Sequence, residues 1–299
     1  MRVNSKYRIG IDLGGTKIEG VILDAHLNEV FRTRIPTEQE KGYGELLLTL
    51  KNLYTLLCDK IHHHPHTLGI GTPGSISKQT GLIKNCNIVC MNGKMFKEDL
   101  ERLIARKFVR QNDSNCFAIA EALMGAGKEK KSVFGIILGT GVGGGYVYQG
   151  KLISGLQSLM GEWGHTIINS TGEKCYCGKI GCIETYISGK GVENKYYLAS
   201  NEKLPMEDIV KRYRLGETTA QLIMSDFFSY FGKACSNLIG IMDPDIIVVG
   251  GGLSNIDELY VLGINKVKDY IFNDTLITPI VKNKLGDSAG VIGAALLGK

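Results

Sequence analysis

The stretch IGIDLGGTKIEGVIL at Ile9–Leu23 returns in altered form as FGIILGTGVGGGYVY at Phe134–Tyr148. Each reads as strand, glycine turn, strand. Gly10 aligns with Gly135, Leu13 with Leu138, and the turn Gly14, Gly15, Thr16 with Gly139, Thr140, Gly141. In both copies β-rich runs flank a turn that needs glycine. A chain that opens each half on the same hairpin is constrained to two related α/β halves, and 299 residues suffice for each to bury a core. The copies differ where it matters chemically, because Asp12 in the first is Ile137 in the second.

The rest of the chain alternates strands with helices, which argues for mixed α/β sheets. A helix is expected over 44–60 and a strand over 67–72, followed by the turn TPGS. Leu100, Leu103, Ile104 and Phe108 predict a helix over 99–108. Asn112 and Asp113 then fall where a strand ends and a helix begins. A long amphipathic helix over 218–242, the buried strand IIVVGGGLS and a last helix, AGVIGAALLGK, complete the reading. The expected division is a small α/β lobe over 1–118, completed by the helix at 288–299, and a larger lobe over 119–287.

Hydrophobic content of 43% with 22% charged residues is that of a globular chain. The net charge of +5 is spread out, its longest block being KEKK at 128–131, so nucleic acid binding gains no support. No apolar run reaches the roughly 18 residues of a membrane span, and the start shows no signal-peptide pattern. A cytoplasmic protein is expected. In that setting Cys58, Cys86, Cys90, Cys116 and Cys235 read as small buried hydrophobes. His62–His66 (HHHPH) reads as an exposed loop broken by Pro65.

Three constellations carry chemistry. The string DLGGTK joins Asp12 to a turn whose amides are unshielded, so phosphate oxygens could be met by Thr16 and Lys17 while Asp12 holds Mg²⁺ or its water shell. Its partner, Gly139–Gly145, lacks the Walker lysine, and no Rossmann context surrounds either hairpin. Asn112 and Asp113 can serve as a helix cap, or Asp113 as a general base on a hydroxyl that attacks the γ-phosphate of ATP. In GEWGH, Glu162 and His165 share a helical face. After nine intervening residues comes CYCGKIGC, and His165, Cys175, Cys177 and Cys182 make a Cys₃His set, the closed arrangement of structural zinc. The spacing is not C-x-x-C, and a reducing compartment disfavours a disulfide. Such a metal would hold Glu162 and Glu184 rigidly.

The segments DLGGTK, NDSNC, LGTGVGGG, GEWGH, CYCGKIGCIE and PDIIVVGGG resemble the ROK family of bacterial sugar kinases and sugar-responsive repressors, nearly end to end. The resemblance implies an α/β, two-lobed, actin-like (ribonuclease-H-type) fold with duplicated halves and a cleft between lobes. It further implies ATP with Mg²⁺, a structural Zn²⁺ and a homodimer whose interface lies in the larger lobe. By position, Asp113 resembles the catalytic base, and Gly74, Ser75, Asn87, Asn112, Glu162, His165 and Glu184 fall where the family contacts sugar. Gly10, Ile11, Asp12, Leu13, Gly14, Gly15, Thr16 and Lys17 match one ATP-binding segment. Gly139, Thr140, Gly141, Val142, Gly143, Gly144, Gly145 and Tyr146 match another, with Gly251 near adenosine. PGSIS, TGLIKN and NGKMFKEDL are most similar to the fructokinase and mannokinase branch, with N-acetylglucosamine kinases next. The nine-residue spacer after His165 is that of glucokinases and N-acetylmannosamine kinases. The expected activity is transfer of phosphate from ATP to a hexose 6-hydroxyl. A repressor would need a helix-turn-helix module ahead of the first strand, and a zinc hydrolase would need an open metal position.

Overall fold

The computed structural model describes residues 6–77 and 79–298. The chain divides into two compact units, Met1–Ala120 with Asp287–Lys299, and Glu121–Gly286. Residues 1–5, Lys78 and Lys299, which fall in the expected small lobe, lie outside the described residues.

The first unit begins with β1 (Tyr7–Leu13), β2 (Lys17–Asp24), β3 (Glu29–Pro36), α1 (Tyr43–Lys60) and β4 (His66–Gly71). Then come a small ribbon of β5 (Ser75–Ile76) and β6 (Ile83–Lys84), α2 (Phe96–Ile104) and β7 (Val109–Gln111). Helix α3 (Asp113–Leu123) runs across the division at Ala120. The second unit holds β8 (Ser132–Leu138), β9 (Val142–Tyr148), β10 (Lys151–Ile153), α4 (Glu184–Ile187), α5 (Gly189–Ser200), α6 (Met206–Arg214), α7 (Thr218–Met242), β11 (Ile246–Gly250), α8 (Leu262–Tyr270) and β12 (Ile280–Lys282). The final helix, α9 (Ala289–Leu297), belongs to the first unit.

The sheet orders are β3-β2-β1-β4-β7 and β10-β9-β8-β11-β12. Position for position these are one design: an antiparallel hairpin, its third strand, and two parallel strands on the other side. The duplication seen in the hairpins therefore extends to the whole sheet of each unit. Strand β11 is buried on both faces, as its unbroken IIVVG run requires.

Helix α9 lies against β1 and β4, and the sequence shows how it approaches. Gly10 and Gly69 are register partners on those strands. A Cβ on Gly10 would overlap the Ala295 amide and the Val291 carbonyl, and one on Gly69 would overlap the Ala294 carbonyl. Glycines paired on two adjacent strands let an Ala- and Gly-rich helix sit directly on the sheet. Gly69→Ala is accordingly expected to cost about 1–3 kcal/mol or more through overpacking. It should appear as a lower denaturation midpoint at unchanged slope. An unchanged midpoint would mean that α9 lifts away freely.

Three sequence expectations need correction. Helix α2 starts at Phe96 and ends at Ile104, with Ala105 left-handed at φ 51°, so Phe108 lies beyond it. Phe108 is nonetheless buried, edge-on to Phe96 at 6.4 Å, and its amide donates to Glu101 Oε1 at 3.2 Å. Its apolar spacing arises from packing after the chain has turned. His62, His63 and His64 are exposed, but His66 is buried at the start of β4, between Tyr54 Oη (2.9 Å) and the His64 carbonyl (2.8 Å). Cys58, Cys86, Cys116 and Cys235 are buried, whereas Cys90 is only partly so, because its short 3₁₀ turn points Met91 inward instead. Among the described residues no helix is long and apolar enough to cross a membrane.

Candidate functional site

In the first unit the β1–β2 turn is closed by Gly14 N–H donating to the Lys17 carbonyl at 2.9 Å. It is pinned from outside by Thr37 Oγ1 on the Gly14 carbonyl (2.7 Å) and Gln39 Nε2 on the Gly15 carbonyl (3.0 Å). With those carbonyls occupied, what the turn offers a ligand is donors. Thr16 and Lys17 are exposed and Asp12 is partly so, while Gly10, Ile11 and Leu13 are buried in the sheet and present no side chain outward. Burial, and after it the charges of Asp113 and Glu19, push the Asp12 carboxyl up to about 7, against the pull of Lys17. A carboxylate so poorly compensated is a good partner for a divalent cation.

Asp113 is the first residue of α3. Asn112 caps that helix, its Oδ1 accepting from the Asn115 amide at 2.9 Å. The cap reading therefore fits Asn112, and Asp113 is left for other work. One oxygen, Oδ1, accepts from the Ser114 amide at 2.8 Å. By surface area Asp113 is exposed, yet protein surrounds it closely enough that desolvation raises its carboxyl above the ordinary range, against the Ser114 bonds and the field of Arg110. The exposed surface decides what can reach it, and the surrounding protein decides the direction of the shift. Asn87 is exposed with its Nδ2 near Gly15, and Gly74, at φ +75°, lies against the 84–86 segment, just ahead of Ser75 in β5.

In the second unit the β8–β9 turn, Gly139–Gly141, is held by Glu184. The carboxylate Oε2 accepts from the Val142 amide at 2.8 Å and fills the space that a side chain on Gly141 would take. The glycine run that follows has a packing cause. Trp163 donates Nε1–H to the Gly143 carbonyl at 3.1 Å, and a Cβ on Gly144 would strike the Trp163 ring at 2.7 Å. Gly144 and Gly145 are buried beneath that segment, Val142 is buried, and Tyr146 is partly buried. The absent side chain of Gly144 thus admits Trp163. Gly251 follows β11 at φ +82°.

The segment docked by Trp163 is a 3₁₀ turn, Glu162–His165, which places Glu162 and His165 on one edge. Beyond it, ligand atoms of His165, Cys175, Cys177 and Cys182 lie within 4.8 Å of one another. Cys175 Sγ is 3.6 Å from His165 Nδ1, and Cys177 Sγ is 3.6 Å from Cys182 Sγ. Donors about 2.0–2.3 Å from one tetrahedral ion would stand roughly 3.5–3.8 Å apart, so this set fits zinc. The other imidazole nitrogen, Nε2, is 3.0 Å from Tyr176 Oη. Two neighbours of these groups were not singled out in the sequence: Tyr176, a spacer within CYCGKIGC, which meets His165, and Arg110 on β7, whose charge acts on Asp113.

The ROK family model matches residues 8–299. An N-acetyl-D-glucosamine kinase of Yersinia enterocolitica serotype O:8 / biotype 1B is 36% identical over 298 residues, covering 96% of this chain and 98% of the relative. One from Pasteurella multocida (strain Pm70) is 36% identical over 301 residues, covering 97% and 98%. Among solved structures, the ROK hexokinase of Thermus thermophilus superposes with a TM-score of 0.90 at 26% identity, covering 98% of this chain and 97% of that one. The shared architecture is the duplicated actin-like, ribonuclease-H-type fold.

Proposed function

The chain belongs to the ROK family and is an ATP-dependent sugar kinase, and we propose that within this class it phosphorylates the 6-hydroxyl of N-acetyl-D-glucosamine. The observation that carries the choice of sugar is the 36% identity, over almost all of both chains, to enzymes named for that substrate. The sequence motifs ranked fructokinase and mannokinase first and this sugar second. The order reverses because PGSIS, TGLIKN and NGKMFKEDL are short segments, whereas the likeness to those enzymes runs along almost the whole chain.

In this reading Asp113 takes the proton of the attacking hydroxyl, and Asn112, fixed by its capping bond, holds a neighbouring hydroxyl through its amide. Gly74, Ser75 and Asn87, with Glu162, His165 and Glu184, are assigned to the sugar. Thr16 and Lys17, with the free amides of the two hairpin turns, are assigned to ATP, and Gly251 to its adenosine. Mg²⁺, which Asp12 would hold, supplies charge neutralisation on the phosphates when bound. Zn²⁺ at His165, Cys175, Cys177 and Cys182 would have no position open to water, so its part is to fix the loop. A homodimer belongs to the same reading.

A coupled assay of ADP release over N-acetylglucosamine, N-acetylmannosamine, glucose, mannose and fructose tests the choice. N-acetylglucosamine is expected to give the highest kcat/KM, by about tenfold or more. A higher value for fructose or mannose would restore the ranking read from the motifs.

A further inference from the structure

Arg110 lies on β7, three residues before Asp113, and its side chain makes a fork into the preceding loop. Nε donates to Thr72 Oγ1 at 2.7 Å, and Nη2 donates to the carbonyls of Gly74 at 2.6 Å and Pro73 at 3.2 Å. Thr72 is fully buried, and its amide donates to the Gln111 carbonyl at 3.0 Å. The 72–74 loop is thus tied to β7 from both sides of one residue. Gly74, left-handed, lies so close to the 84–86 segment that a Cβ on it would meet the Lys84 carbonyl at 2.7 Å.

We propose that Arg110 is a positioning residue for phosphoryl transfer, tying the loop that presents Gly74 and Ser75 to the strand that delivers Asp113 and so setting the distance between sugar and base. The inference rests on the reading of Asp113 as base and of Gly74 and Ser75 as sugar contacts. Its chemistry is specific to a guanidinium, because a planar fork reaches hydroxyl and carbonyl acceptors that a single ammonium cannot hold together. All three bonds go to neutral oxygens, so the positive charge is not neutralised by them. It lowers the Asp113 carboxyl against desolvation and acts likewise on the Cys86 and Cys116 thiols, while the Asp113 charge in turn raises Asp12 on β1.

The experiment compares Arg110→Met, Arg110→Lys and Thr72→Val with the parent enzyme in sugar KM, ATP KM, kcat and melting temperature. Arg110→Met is expected to raise sugar KM by about tenfold or more, the usual worth of hydrogen bonds from a charged donor, and to lower kcat as well. ATP KM should stay within about twofold. Arg110→Lys should fail to restore sugar KM, and Thr72→Val, which removes one acceptor and no charge, should raise it by a smaller factor. If Arg110→Met does not fold, the other two variants decide. A sugar KM unchanged in Arg110→Lys and Thr72→Val, or sugar and ATP KM rising together, overturns the proposal. Asp113→Asn is measured alongside: if it is inactive while the Arg110 and Thr72 variants bind sugar normally, only the Arg110 inference falls. If Asp113→Asn keeps full turnover, the base reading and this inference fall together.

Discussion

Replacing Asp113 with asparagine is expected to lower kcat by about 10²- to 10⁴-fold, the worth of a positioned general base, while leaving the fold intact. The expectation of intact structure follows from what the side chain does. Its Oδ1 accepts from the Ser114 amide, which an asparagine carbonyl can also do, and the helix cap belongs to Asn112. Desolvation that raises the carboxyl would also be relieved in a neutral amide, so the variant should melt no lower than the parent. The sign is that of a raised acid: its folded-state preference for the proton favours the fold at low pH and is lost as pH rises through its folded pKa. The same shift fixes the pH profile of the parent. A base must be unprotonated, so the acid limb of kcat/KM should lie above the ordinary carboxylate range and should vanish in Asp113→Asn. Turnover near the parent level in a correctly folded Asp113→Asn protein would remove Asp113 from the mechanism.

Much of this was legible because the chemistry is written in local strings. The hairpin pair announced the duplicated sheets, since a glycine turn between β-rich runs has few alternatives, and the four candidate metal ligands lie within eighteen consecutive residues, His165 to Cys182. What the sequence could not show were contacts made across strands. Gly10 and Gly69 are 59 positions apart, and only their register beneath α9 explains why both are glycine. In the run Gly143–Gly145, a side chain on Gly144 would run into Trp163, a contact that the local string does not show. Arg110 reads as an ordinary charge in a short strand until the 72–74 loop is seen to wrap it. The sugars were hard to rank for a related reason, because pocket shape is set by loops whose sequences carry no periodicity to read.

Loss of the metal is expected to have the second large effect, and to act through structure. Between His165 and Cys182 the chain has no helix or named strand beyond the 3₁₀ turn: it is tied to itself by short-range backbone bonds such as Gly181 to Glu173 and Cys175 to Lys179, and to α7 by Asn169 on Tyr230, while most residues from 169 to 181 are exposed. A structural zinc can contribute on the order of 10 kcal/mol to ordering such a segment. Purified protein should therefore hold one zinc per chain. In Cys182→Ser, or after chelation, residues 165–183 should become sensitive to protease and lose amide protection. The damage should reach the neighbouring hairpin, because Glu184, which fixes Val142, and Trp163, which sits on Gly143, flank the metal loop on either side. Turnover is expected to fall by at least about tenfold. Substituting cobalt for zinc separates the roles: four protein ligands leave no site for substrate or water, so kcat should be nearly the same with either metal. A catalytic metal would instead give a rate that follows the identity of the ion and an apoprotein that stays ordered over 165–183. Either of those results, or purified protein free of zinc with that segment fully protected, would end the reading of the cysteines as a clamp.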